Sequence, residues 1–155
     1  MKLTTLDLNA DLGETVNDYI ELLPVITTAN VACGGHAGGG ELLTQTVKAC
    51  VEHNVQVGAH PSYPDRENFG RVSLRDHFPK AELVALLKEQ IEVIQSELAT
   101  HGKTLSHVKA HGALYNDAMV HQDVAEALIA ALKPFEVPIF GLPNSVLASV
   151  AKQAG

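Results

Sequence analysis

No stretch of this chain approaches the ~18 consecutive apolar residues of a bilayer-spanning helix, and no cluster of lysines and arginines offers a footprint for nucleic acid or an anionic membrane. Basic residues are outnumbered, 11 Lys+Arg against 18 Asp+Glu, giving a formal net charge of -7. Small substrates or protein partners are therefore expected, with no nucleic acid and no membrane among them; a homo-oligomer is left open. The segment Met1-Lys2-Leu3-Thr4-Thr5 leads straight into a strand-like stretch rather than a signal-peptide core, which points to the cytoplasm. Two cysteines, Cys33 and Cys50, are too few for a disulfide scaffold and lack Cys-x-x-Cys spacing. Both are expected to be small buried thiols.

Linkers, repeats and charge blocks are also missing, so the 155 residues, 46% hydrophobic and 19% charged, read as a single domain over 1–155. The pattern alternates strands and helices. Strands are predicted at Leu3 to Asn9, Val25 to Val31, Val55 to Ala59, Leu105 to Ala110 and Val137 to Gly141, each bounded by Gly, Pro, Asn or Asp. The clearest helix is Lys80 to His101, where Leu83, Leu87, Ile91, Ile94 and Leu98 follow helical spacing between Pro79 and Gly102. Others are predicted at Glu41 to His53, with Leu43, Val47, Cys50 and Val51 inward, and at Asp117 to Lys133, with Val120, Val124, Leu128 and Ala131 inward. Ser145 to Ala154 is a shorter one.

Such a repeat without hairpin turns implies parallel strands and right-handed crossovers, in an α/β barrel or an open doubly wound sheet. Strand parity favours the barrel. One face carries Asp7, Asn9 and Asp11, then Thr28 and Asn30, Gly58 and His60, Lys109 and His111; the other carries Leu6 and Leu8, Val55 and Val57, Val108 and Ala110. A polar lumen and an apolar outer face suit a barrel with interior chemistry. Five βα units nevertheless fall short of the eight of a closed barrel, so an incomplete, TIM-barrel-like parallel sheet is expected.

Chemistry concentrates at four places. Asp11 and Glu14 close the run Asp7-Leu-Asn-Ala-Asp-Leu-Gly-Glu14, where carboxylates can bind a metal, act as a base or orient substrate. Gly34-Gly-His36-Ala-Gly38-Gly-Gly-Glu41 enters a helix, and its amides could cradle a phosphate or merely allow a tight turn. It has neither the Gly-Lys-Ser/Thr ending of a P-loop nor a dinucleotide fingerprint. His60 opens a proline-stiffened loop running to Arg71, a candidate lid in which Arg66 or Arg71 would hold an anion. Lys109 and His111 share the inward parity, and a buried lysine needs a partner such as Asp11 or Glu14. His53, His77, His101 and His121 lack such context and are expected to face solvent. A metal site built from Asp11, His36, His60 and His111 is conceivable, but no His-x-x-x-His or similar local pair anchors it, so the metal stays unassigned.

Asp7-Leu-Asn-Ala-Asp-Leu-Gly-Glu14, Ala29-Asn-Val-Ala-Cys-Gly-Gly-His-Ala-Gly38, Gly58-Ala-His-Pro-Ser-Tyr-Pro-Asp65 with Phe69-Gly-Arg71, and Lys109-Ala-His-Gly-Ala-Leu-Tyr-Asn116 together resemble the LamB/YcsF family, the A subunit of prokaryotic 5-oxoprolinase. The resemblance implies a barrel related to glycoside hydrolase and deacetylase folds. It also implies ATP-dependent opening of 5-oxo-L-proline or a related lactam to its amino acid, with magnesium, and with separate B and C subunits. On that basis Asp11, Glu14, His36, His60, Lys109 and His111 are expected to line the reacting centre, with Gly34, Gly38 and Arg71 toward ATP. The chain departs from the family where Gly35 stands for a bulky aromatic, Gly39 for an acidic residue and Ala110 for proline. Later family segments, one Ala-Asp-Arg and one His-Gly-Asp, have no counterpart, so the chain looks like the first three-fifths of that subunit. Alternatives are a metal-dependent amide or carbohydrate deacetylase and a non-catalytic binding or assembly domain.

Overall fold

The computed structural model describes residues 6–17 and 21–155. Among these, three parallel strands, β1 (Asn9–Leu12), β2 (Thr28–Ala32) and β3 (Gln56–His60), stand side by side in sequence order. The register pairs Asp11 with Asn30 and Asn30 with Gly58, so the residues expected on the polar face do share one face. The opposite face is dry: Leu12, Ala29, Val31 and Ala59 are fully buried and Val57 almost so.

The fourth and fifth predicted strands shrink to single parallel bridges, Ala59 with Val108 and Val108 with Ile139. Ladder hydrogen bonds still run through them: Lys109 N–H donates to Ala59 O at 3.0 Å and Phe140 N–H to Val108 O at 2.8 Å. Pro138 explains part of the shortening, since it has no amide hydrogen to give to a ladder. The first predicted strand also shifts. Leu3 to Thr5 lie outside the described residues, and Leu6 and Leu8, expected to be covered, are 76% and 49% exposed ahead of the ladder.

Among the described residues, five helices surround this arc. α1 (Gly40–Glu52) and α2 (Lys80–Thr100) match their predicted spans to within a residue or so, and the whole stripe Leu83, Leu87, Ile91, Ile94 and Leu98 is buried. The single helix expected over Asp117 to Lys133 is instead two, α3 (Gly112–Val120) and α4 (Gln122–Leu132). His121 sits between them in an extended conformation, φ -114° and ψ 121°, which ends one helix and starts the next. The break changes the phase of the apolar stripe, so Val124, Leu128 and Ala131 are buried while Val120 is 64% exposed. α5 (Val146–Ala154) is capped by Ser145, whose Oγ accepts from Ala148 N–H. No helix among the described residues is long and apolar enough to cross a membrane.

Candidate functional site

All four chemical segments end at the carboxyl edge of the parallel strands. β1 runs out into Gly13 and Glu14, β2 into the glycine loop carrying His36, β3 terminates on His60, and the bridge at Val108 is followed by Lys109 and His111. Main-chain hydrogen bonds tie these exits together: His111 N–H donates to Pro61 O at 2.9 Å and Ala113 N–H to Gly70 O at 2.9 Å.

The result is one cluster. His36 Nε2 lies 3.0 Å from Glu14 Oε1, His111 Nδ1 3.3 Å from the same oxygen, and His60 Nε2 3.9 Å from it. Lys109 Nζ donates to Asp11 Oδ1 at 2.6 Å, and Asp11 Oδ2 lies 3.5 Å from His60 Nε2. His36 and His111 stack face to face, with centroids 3.6 Å apart and planes 2° from parallel. Thus Asp11, Glu14, His36, His60, Lys109 and His111, the six residues singled out in the sequence, are brought together.

Burial sets the protonation of these groups. Desolvation pushes His60 down to about 4 although the Asp11 carboxylate opposes it, and lowers His111 as well, with the neighbouring His36 adding to the effect. Both are neutral near pH 7. Burial works to raise Asp11, but His60, Lys109 and Asn30 together hold it below the ordinary carboxylate value. Glu14 is also lowered, chiefly by its hydrogen bond with His36. The site therefore combines anionic carboxylates, a lysine and uncharged imidazoles.

The remaining predicted residues divide. Gly34 N–H donates to Ala37 O at 2.9 Å, which leaves Gly34 no free amide for a phosphate. Gly38, at φ +67°, packs its α-carbon against the chain after β1: a β-carbon there would come 2.6 Å from Gly13 O, so the glycine lets two site loops touch. Arg66 is a clamp, with Nη1 donating to Gly34 O at 2.9 Å and to Gly38 O at 3.2 Å. Arg71 is exposed at the rim over the Phe69 ring, 5.4 Å from its centroid, and Phe69 in turn stands edge-on to His36 and His111. Both cysteines are buried as expected, and burial pushes the Cys33 thiol up to about 12. His53 and His77 are exposed, whereas His101 and His121 are half-buried.

His107 belongs to this region although the sequence motifs do not single it out. It is 2% exposed, its Nε2 lies 2.6 Å from Asn30 Oδ1, and its ring stacks on Phe140. Asn30 passes the contact on, donating from Nδ2 to Asp11 Oδ1 at 2.7 Å. A signal is present, because His107, Lys109 and His111 follow one another at the period of two that places the latter pair inward. Gly35 is a second case: the space a side chain would occupy is filled by Ser62 Oγ and Gln90 Oε1, 2.5 and 2.6 Å from a built β-carbon. Gln90 is bound there through Ser62 N–H and Ser62 O.

Known proteins share the fold that carries these residues. A crystal structure of the lactam utilization protein from Thermus thermophilus is 36% identical and superposes with a TM-score of 0.93, over 98% of this chain and 64% of that one. The chain thus spans less than two thirds of that relative's length. A putative cellobiose-phosphate cleavage protein from Enterococcus faecalis, 10% identical, shares the fold with a TM-score of 0.71 over 95% of this chain and 64% of its own. The LamB/YcsF family profile matches residues 6–155. From its sequence profile and its closely superposing backbone on a lactam utilization protein, the chain belongs to the LamB/YcsF family.

Proposed function

We propose that the chain is the A component of an ATP-dependent 5-oxoprolinase, opening 5-oxo-L-proline to L-glutamate together with separate B and C subunits. The observation that carries this reading is the Asp11–Lys109 ion pair set beside neutral imidazoles at one strand edge. Family membership and the lactam utilization relative support a cyclic amide as the substrate. We also read the parallel arc as part of a TIM-barrel-like sheet, supported by its polar inner and apolar outer parity.

A five-membered lactam resists simple hydrolysis, and ATP, carried with magnesium, supplies a phosphoryl group that makes its carbonyl carbon a better electrophile. The chain's own residues do the rest. Lys109, oriented by Asp11, stabilises negative charge growing on the carbonyl or phosphoryl oxygen. The Asp11 carboxylate, held anionic, takes the proton of the attacking water and returns it to the departing ring nitrogen, and a second water splits the resulting acyl phosphate into glutamate and inorganic phosphate. Arg71, exposed at the rim, holds the polyphosphate in place of the occupied Gly34 amide. Magnesium stays with the nucleotide, because a histidine-rich donor set is poorly matched to that oxygen-seeking ion.

The test is to combine the chain with B and C subunits, 5-oxoproline, ATP and magnesium, and to measure glutamate and ADP. Both products are expected in equal amounts, with turnover falling by at least about a hundredfold in Lys109→Met and Asp11→Asn. Full turnover in both variants, or no glutamate from the unaltered chain, overturns the reading.

A further inference from the structure

The imidazoles of this cluster are oriented in an unusual way. His60 Nδ1 donates outward to Lys109 O at 2.6 Å, and His111 Nε2 donates outward to Phe69 O at 2.9 Å. Each neutral ring has then used its only N–H, so His60 Nε2 and His111 Nδ1 present bare lone pairs to each other at 3.1 Å. His36 adds Nε2 to the same spot, and Glu14 adds a carboxylate oxygen 3.0 Å from it. Two lone pairs and a carboxylate facing one another repel unless something positive lies between them.

A proton on one ring is one answer, but the geometry fits a larger cation better. All four donor atoms lie within 4.8 Å of one another, and the contacts recorded among them run from 3.0 to 3.9 Å. A tetrahedral ion with bonds of about 2.0–2.1 Å needs donor separations of about 3.3–3.4 Å, in the middle of that span. The outward N–H to carbonyl bonds of His60 and His111 are the supports that fix a ligating imidazole's tautomer and aim. The parallel stack of His36 on His111 brings the donor nitrogens of the two rings to the same side of the cluster as Glu14. Glu14, whose side chain is 20% exposed against 0–8% for the three histidines, marks the side from which an ion enters.

We infer that Glu14, His36, His60 and His111 form a binding site for a first-row divalent transition-metal ion, with zinc the best match. Three imidazole nitrogens and one carboxylate suit zinc, cobalt or nickel and not magnesium or calcium. The site differs from the one open to sequence reasoning, because Glu14 replaces Asp11, which is held by Lys109. It does not depend on the lactam as substrate.

The experiment uses the full chain, stripped with a chelator and titrated with zinc by calorimetry and with cobalt(II) by visible absorption; magnesium serves as the comparison. One zinc per chain, cobalt bands of tetrahedral intensity and no saturable magnesium binding are expected. Glu14→Gln and His111→Ala should each weaken zinc by at least about a hundredfold, while His53→Ala leaves it unchanged. The cobalt spectrum of the unaltered chain needs no variant to fold. Absence of stoichiometric zinc and cobalt binding, or equal one-site binding in a Glu14→Gln/His111→Ala double variant, overturns the inference. Lactam turnover by a chain that binds no metal would overturn this site alone; tight metal binding without turnover would count only against the proposed activity.

Discussion

His107 and Gly58 occupy the same space: a β-carbon built on Gly58 would lie 2.3 Å from His107 Nε2, so the imidazole reaches Asn30 only because residue 58 has no side chain. Gly58→Ala should therefore push the ring out of its hydrogen bond and destabilise the protein by about 1–3 kcal/mol, the usual cost of overpacking. Urea denaturation checks this. In a His107→Ala background the same substitution should cost much less, and equal costs in both backgrounds would refute the steric coupling.

His107 also makes stability depend on pH. Burial pushes it down to about 4 from an ordinary 6.5, so between those values the unfolded chain binds a proton that the folded one refuses. Stability contributed by the neutral ring is complete above pH 6.5 and is lost as pH falls toward 4, with a slope of up to about 1.4 kcal/mol per pH unit. Comparing urea midpoints at pH 7 and pH 5 for the unaltered chain and for His107→Gln isolates this effect. The variant should lose less stability on acidification; an identical loss would show that other groups are responsible.

Tyr63 is completely buried, and its hydroxyl donates to Asp117 Oδ2 at 2.9 Å; Ser73 donates to the same oxygen. These bonds pin the loop after β3 to α3. Tyr63→Phe should cost about 1–3 kcal/mol, in the range of a hydrogen bond to a charged group. Amide exchange of the loop amides from Asn68 to Arg71 should accelerate in the variant. Unchanged exchange there would show that the loop is held from elsewhere.

Gly35 and Gln90 form a size-complementary pair. Gly35→Phe should disrupt the fold near β3, because Gln90 and Ser62 already fill that volume. Gly35→Phe/Gln90→Ala should recover part of the loss, and a thermal-melting double-mutant cycle measures the coupling. Strict additivity of the two changes would rule it out.

Much of this is legible in the chain itself. Period-two alternation places Asp11, Asn30, His60, Lys109 and His111 on one face, and the α2 stripe can be read residue by residue, because both patterns depend only on local geometry. What depends on tertiary context is not legible in the same way. The helix break at His121 has no Pro or Gly to announce it, and the full strands expected around Val108 and Ile139 dwindle to bridges. Arg66 offers an equally good anion site on paper, yet two carbonyls of the glycine loop claim it. Spacing likewise does not encode that Lys109 pairs with Asp11 while Glu14 lies beside His36 and His111.

Lys109 and Asp11 are 98 positions apart in sequence and 2.6 Å apart in space. A site assembled from such distant exits cannot exist in a partly folded chain, since closing a loop of that length is entropically unfavourable until the intervening strands and helices are in place. The histidine cluster is thus complete only when every one of these strand exits is in place. Whatever binds there recognises only the finished molecule, and by mass action it should shift the balance away from the unfolded state.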